Sequence, residues 1–178
     1  MKTDLLDFAL SLGASNASFV AVSDVVFDTS FREACERNAC GKYGKFYTCP
    51  PDVGAIEDLI SRAKEYLQAF VFQTISPLED SFDIEGMLES GQRHNKLSRD
   101  VFAFAKEHIK NALCLSSGGC GGLCENCAKL TSEPCRYPHL ASSSLSAYGI
   151  NVSLLAKAAG MKYNNGVNTV TYFSAIFF

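Results

Sequence analysis

Hydrophobic positions along this chain switch repeatedly between helical and strand periods, and the order of the switches predicts its architecture. Leu5, Leu6, Phe8, Ala9 and Leu12 recur at helical spacing behind Thr3, a plausible N-cap, and Gly13 closes the segment. Ser18 to Phe27, rich in valine and phenylalanine, predicts a first strand. A short helix carrying Phe31, Ala34 and Cys35 comes next. Ile56, Leu59, Ile60, Ala63 and Leu67 then give a helix over 53–67, and Gln68 to Ile75 a second strand stopped by Pro77. Residues 83–111 predict a long helix with Ile84, Met87, Leu88, Leu97, Val101, Ala105 and Ile109 as its buried stripe and Gly91 as a candidate break. Ala112 to Leu115 reads as a short third strand. Asn151 caps a helix ending at Gly160, and Asn165-Gly166 is a hairpin signal. The run 167–178 is apolar on both faces, which places it inside the sheet. The expectation is a single domain over residues 1–178 of α/β or α+β class, its helices packed on a mixed sheet of four or five strands.

Two stretches fit neither period, residues 35–51 and 114–138, and together they hold all 8 cysteines. Cys35, Cys40 and Cys49 are spaced x4 and x8; Cys120, Cys124, Cys127 and Cys135 are spaced x3, x2 and x7. Loops this long are functional or pinned to something. The rest of the composition is that of a soluble globular protein, 47% apolar and 20% charged. A net charge of −3 gives no electrostatic argument for a nucleic-acid or anionic-membrane partner. No apolar run approaches the ~20 residues of a membrane span. Asp4 and Asp7 make the N-terminus an amphipathic helix rather than a signal peptide. The cytoplasm is the expected compartment, where thiols stay reduced, so the cysteines point to metal or redox chemistry and not to disulfides.

Closely packed, deprotonatable sulfurs flanked by glycines suit a metal, because glycine lets the backbone approach a cluster closely. Structural zinc sites commonly use two short pairs of ligands separated by a dozen or more residues. A compact triplet followed by a later cysteine near a proline instead favours an iron–sulfur cluster, which needs four thiolates around a wider object. One 4Fe–4S cluster on Cys120, Cys124, Cys127 and Cys135 is the sharpest expectation, with zinc as the alternative. The same triplet spacing occurs in radical-SAM enzymes, but its position late in the chain and the presence of Cys135 argue against that class. Cys35, Cys40 and Cys49 would lie near the cluster or hold a second one. Cys114, in the apolar run ALCL, reads as a buried small hydrophobe. Lys42 and Lys45 are expected to lower neighbouring thiol pKa values. Tyr43 and Tyr47 could shield a cluster, Arg136 could offset its charge, and His139 could replace a thiolate. His94 and His108 read as ordinary helix-face residues. No hydrolase, metalloprotease, Walker or dinucleotide motif is present.

The segment Cys35-ERNA-CGKYGKFYTCPP resembles the opening signature of the DUF2284 family of predicted metal-binding proteins, C-x4-C-G-x-Y-G-K and then C-P-P. Downstream, PCRYP and then SLSAYGINV resemble the same family's P-C-R-x-P and S-x-x-A-x-G-I-x-V block. The resemblance implies metal or iron–sulfur binding at Cys35, Cys40, Cys49, Cys124, Cys127 and Cys135, with Cys120 first of the triplet. Two departures stand out: an x3 rather than x2 gap after Cys120, and Ser142 to Ser146 where the family pattern carries charged residues. Three functions follow as expectations. The first is a redox module passing electrons to a partner protein, the second a zinc-organised binding protein, and the third an enzyme with an open cluster iron.

Overall fold

The strand read as central from its two apolar faces is the one around which the sheet is built. In a computed structural model, which describes residues 2–178, β5 (Thr169–Phe177) lies between β2 (Gln68–Pro77) and β3 (Leu113–Ser116). The outer strands are β1 (Asn16–Ala21) on the β2 side and β4 (Ser143–Ser144) on the β3 side. Pairing is antiparallel except between β3 and β4, so the sheet is mixed. The β2–β5 ladder runs unbroken from Ala69↔Phe177 to Pro77↔Thr169.

Side chains alternate across the sheet, and the two faces take different helices. Phe70 and Phe72 of β2 and Ile176 of β5 pack against α1 (Lys2–Ser11) and α4 (Ile84–His108), chiefly on Leu5, Leu97, Val101 and Phe102. Val71, Phe173, Ala175 and Phe177 pack the opposite face on α3 (Ile56–Lys64) and α5 (Val152–Ala158) through Leu59, Ala63, Leu155 and Ala156. Phe70, Phe72 and Phe177 are fully buried, each stabilising the fold by about 1.5–3 kcal/mol. The short α2 (Phe31–Glu36) leads into the first cysteine loop. Among the described residues no helix is long and apolar enough to cross a membrane.

Four expectations need correction. The first strand stops at Ala21, because a helical turn over Val22–Asp24 carries Val22 and Val25 into the core; Phe27 returns only as an isolated bridge to Ile150. Gly91 does not break α4. A Cβ there would lie 3.3 Å from the Tyr172 hydroxyl, which donates to the Met87 carbonyl at 2.8 Å, so the glycine makes room for a tyrosine. Asn165-Gly166 turns the chain but forms no hairpin, since the preceding element is α5 and not a strand; Asn165 Nδ2 donates to the Lys162 carbonyl and to Thr171 Oγ1.

The fourth correction concerns the buried face of α4. Ile84 and Leu88 are exposed, whereas Ser90, His94 and Ser98 are buried. The sheet supplies the partners that make this possible. His94 Nδ1 meets Thr74 Oγ1 at 2.9 Å and Nε2 meets Ser174 Oγ at 2.9 Å, while Ser98 Oγ meets Ser174 Oγ at 2.8 Å. His94 is therefore a core residue, its pKa pushed down to about 4 by burial against the weaker opposing effect of the Phe173 carbonyl. The unfolded chain binds this proton near pH 6.5 and the folded chain does not, so the stability tied to neutral His94 is complete above about pH 6.5 and is lost as pH falls toward 4. Denaturant unfolding should show about 2 kcal/mol lost to this group between pH 6.5 and 5, and His94→Gln should flatten that slope. An identical slope in the variant would remove His94 as its source.

Candidate metal centre

The first cysteine loop is folded by its own turns. Asn38, in the left-handed region at φ 52°, ends the α2 turn, and its Oδ1 accepts from the Tyr43 N–H at 3.0 Å. Gly44 then donates to the Pro50 carbonyl at 2.8 Å, which draws Cys49 back over the loop. Cys49 consequently lies in the field of both Cys40 and Cys35. Burial raises the Cys35 and Cys49 thiols, opposed at Cys35 by Arg32 and at Cys49 by Lys42 and the Thr48 hydroxyl. The expected effect of Lys42 is present, but desolvation outweighs it and the net direction is up.

The second loop leaves β3 at Ser116, whose Oγ donates to the Gly118 carbonyl at 2.7 Å. Cys120, Gly121 and Gly122 follow, all left-handed at φ 66°, 62° and 72°. For Cys120 that conformation costs about 1–2 kcal/mol. It is held by the Cys120 N–H, which donates to the Ser142 carbonyl at 2.8 Å, and by Arg99 of α4, whose Nη1 donates to the Gly121 carbonyl at 3.0 Å. Gly121 also sits where a Cβ would lie 3.4 Å from Asn95, one turn before Arg99. Further along, Arg136 donates to the Asn126 carbonyl at 3.1 Å and to Glu133 at 3.2 Å, with the Cys124 sulfur beside it. Burial raises the Cys120 thiol, and Cys124, Cys135 and Cys127 add to the rise by like-charge repulsion while the Leu123 N–H opposes it. Four sulfurs thus share one electrostatic neighbourhood.

The two loops meet at Gly119, where a Cβ would lie 2.6 Å from Cys49 Sγ and 2.9 Å from Thr48 Oγ1. Tyr47 clamps the same junction, its hydroxyl donating to the Glu133 carbonyl at 2.7 Å. Lys129 lies over the Tyr47 ring, 5.7 Å from its centroid, and pairs with Asp52. The tyrosine read as a possible shield is a brace between loops separated by more than eighty positions.

All eight cysteines are free thiols. The donor set fits a thiolate-held metal in its chemistry: soft ligands, glycine-lined backbone, and a guanidinium beside one sulfur. Thr48 Oγ1 and Asn95 Oδ1 are buried beside these loops with no nitrogen or oxygen partner. Among the described residues, however, no three Cys, His, Asp or Glu side chains are gathered closely enough to hold a metal ion. Burial keeps the Cys35, Cys49 and Cys120 thiols protonated, so a metal would release their protons on binding.

Cys114 is half-buried on the wall of a cavity, its thiol pushed up to about 11 by burial. His139 is exposed on the same cavity wall, and its carbonyl accepts from Lys106 at 2.8 Å. His108 is an exposed helix residue whose Nδ1 meets the Phe104 carbonyl at 2.8 Å. Asn95, Arg99 and Lys129 carry no signal in the sequence beyond the helical spacing of the first two, since their loop partners lie 22 or more positions away. A family model described as a predicted metal-binding protein (DUF2284) matches residues 18–178. Neither a curated protein nor a solved structure matches the chain.

Proposed function

We propose that this chain, which belongs to the DUF2284 family of predicted metal-binding proteins, holds one 4Fe–4S cluster on Cys120, Cys124, Cys127 and Cys135 and passes electrons to a redox partner protein. The observation that carries this is the common field of those four sulfurs on a loop already braced from α4 and by Arg136. When bound, the cluster supplies a one-electron couple. The residues around it have separate tasks. Arg136 ties the loop to the Asn126 carbonyl and to Glu133 beside Cys124; Arg99 and the Cys120–Ser142 bond hold the left-handed turn that aims Cys120. Cys35, Cys40 and Cys49 make a second set of thiols on the first loop, with Cys49 against Gly119 and Lys42 partly opposing the rise that burial imposes on it.

Anaerobic purification with iron, sulfide and zinc analysis tests this directly. About four irons and four sulfides per chain, with visible absorption that bleaches reversibly on reduction, is the expected result. About eight irons would give the Cys35 group a cluster of its own. A single zinc and no iron would overturn the cluster and leave the zinc-organised binding protein. The position of Cys49 Sγ against Gly119 favours a second reading, an enzyme whose cluster keeps an iron open beside the first loop. Cys49→Ser that retains metal and any activity found would count against it.

A further inference from the structure

A cavity of about 520 Å³ opens between α3, α4, β3 and the segment from Pro138 to Ser143. Arg62, Arg99 and Lys106 all line it, and no aspartate or glutamate does. In a chain with 19 acidic and 16 basic residues, this reverses the overall charge balance at one concave place. Among the described residues none of the three cations is in an ion pair with a carboxylate. The hydrogen bonds of Arg99 and Lys106 go to neutral groups, the Gly121 and His139 carbonyls, and Arg62 lies beside the Tyr148 hydroxyl. A guanidinium has five donors and an ammonium three, so most of their capacity is left for something else.

Positive charges in a concave, apolar-walled site concentrate their field and attract anions. Two guanidiniums match the paired oxygens of a carboxylate or phosphate better than a lone lysine would. Phe102, Leu113 and Leu140 in the walls suit a carbon skeleton rather than a bare inorganic ion. The volume falls in the range of small-molecule sites, about 300–1,000 Å³. The cavity also touches the cysteine loop. Ser142, in its wall, accepts from the Cys120 N–H, and Arg99 holds the Gly121 carbonyl. We infer that this cavity binds a small organic anion, a carboxylate or a phosphate ester, between Arg62, Arg99 and Lys106, directly beside the cysteine loop. The inference does not depend on which metal the cysteines hold.

The full chain as purified would be titrated calorimetrically with succinate and, separately, with glycerol 3-phosphate, at low salt and at about 0.15 M ionic strength. Saturable binding of at least one probe at both salt levels is expected, and the tighter probe identifies the anionic group. Arg62→Gln and Lys106→Gln should each weaken it about tenfold, the usual scale for a lost charge-assisted hydrogen bond. Both residues are exposed, so neither substitution threatens the fold, and Lys96→Gln on the outer face of α4 serves as the control. Metal content measured on every variant separates this site from the metal centre, and it should not change. Binding of neither probe, binding only at low salt, or equal weakening by Lys96→Gln would overturn the proposal.

Discussion

Cys127→Ser is expected to strip the protein of its metal, with affinity falling more than a hundredfold. Cys127 is the one cysteine buried outright, at 8% exposure, so no solvent-side adjustment can offer another ligand in its place. A serine hydroxyl does not ionise at neutral pH and is a poor ligand for a soft metal, whereas even second-sphere losses cost 10–100-fold in affinity. Binding and loop order are coupled, because a site gathered by the metal returns its binding free energy as folding free energy. The melting temperature of the loaded protein should therefore drop to that of the chelated wild type, with little further change in the variant on chelation. Cys114→Ser is the control and should keep full metal content, as that thiol lines the separate cavity. Wild-type metal content in Cys127→Ser would remove Cys127 from the ligand set.

Gly119→Ala should be strongly damaging although it replaces no candidate ligand. The backbone there, at φ −60° and ψ 132°, is open to any residue, so the effect is purely steric. The added methyl would meet Cys49 Sγ at 2.6 Å and Thr48 Oγ1 at 2.9 Å, both closer than contact distance. Neither is the end of a long flexible chain, and the Gly44–Pro50 and Val53–Cys49 backbone bonds hold that part of the first loop in place. The expected loss is about 1–3 kcal/mol, the usual cost of overpacking, together with separation of Cys49 from the second loop. Combining it with Cys49→Ala should cost less than the sum of the two, since the second change removes the closest clash. Gly122→Ala provides the contrast: nothing lies within 4 Å of its Cβ position, and only its φ of 72° makes alanine cost about 1–2 kcal/mol. If Gly119→Ala and Gly122→Ala behave alike, with no relief from Cys49→Ala, close approach at Gly119 is not what the glycine provides.

Much of the scaffold was legible because its signals are local. Two apolar faces put β5 inside the sheet, and the helical spacing of Ile56, Leu59, Ile60 and Ala63 marks the buried side of α3. Where reading failed, a partner distant in sequence had changed the meaning of a residue. His94 read as an ordinary helix-face residue, yet Thr74 and Ser174 supply both its hydrogen bonds from the sheet and make it a core residue. Gly91 looked like a helix break until Tyr172 was seen to need its space. Lys42 was expected to leave its neighbouring thiol low, yet the burial of Cys49 depends on how the loop folds and overrides one nearby charge.

The candidate site divides in the same way. Cysteine spacing, flanking glycines and the CGKYGKFYTCPP and PCRYP motifs already place the thiols in two groups, because a metal-binding loop writes its chemistry into neighbouring positions. The tertiary structure alone decides that Cys49 lies against Gly119, that Tyr47 braces Glu133, and that Arg99 supports the left-handed turn at Cys120. It alone collects Arg62, Arg99 and Lys106 around one cavity from two helices. Contacts of this kind depend on packing geometry across the sheet, and no pattern of adjacent residues encodes them. Ligand identity is a property of short stretches, whereas the company those ligands keep belongs to the fold.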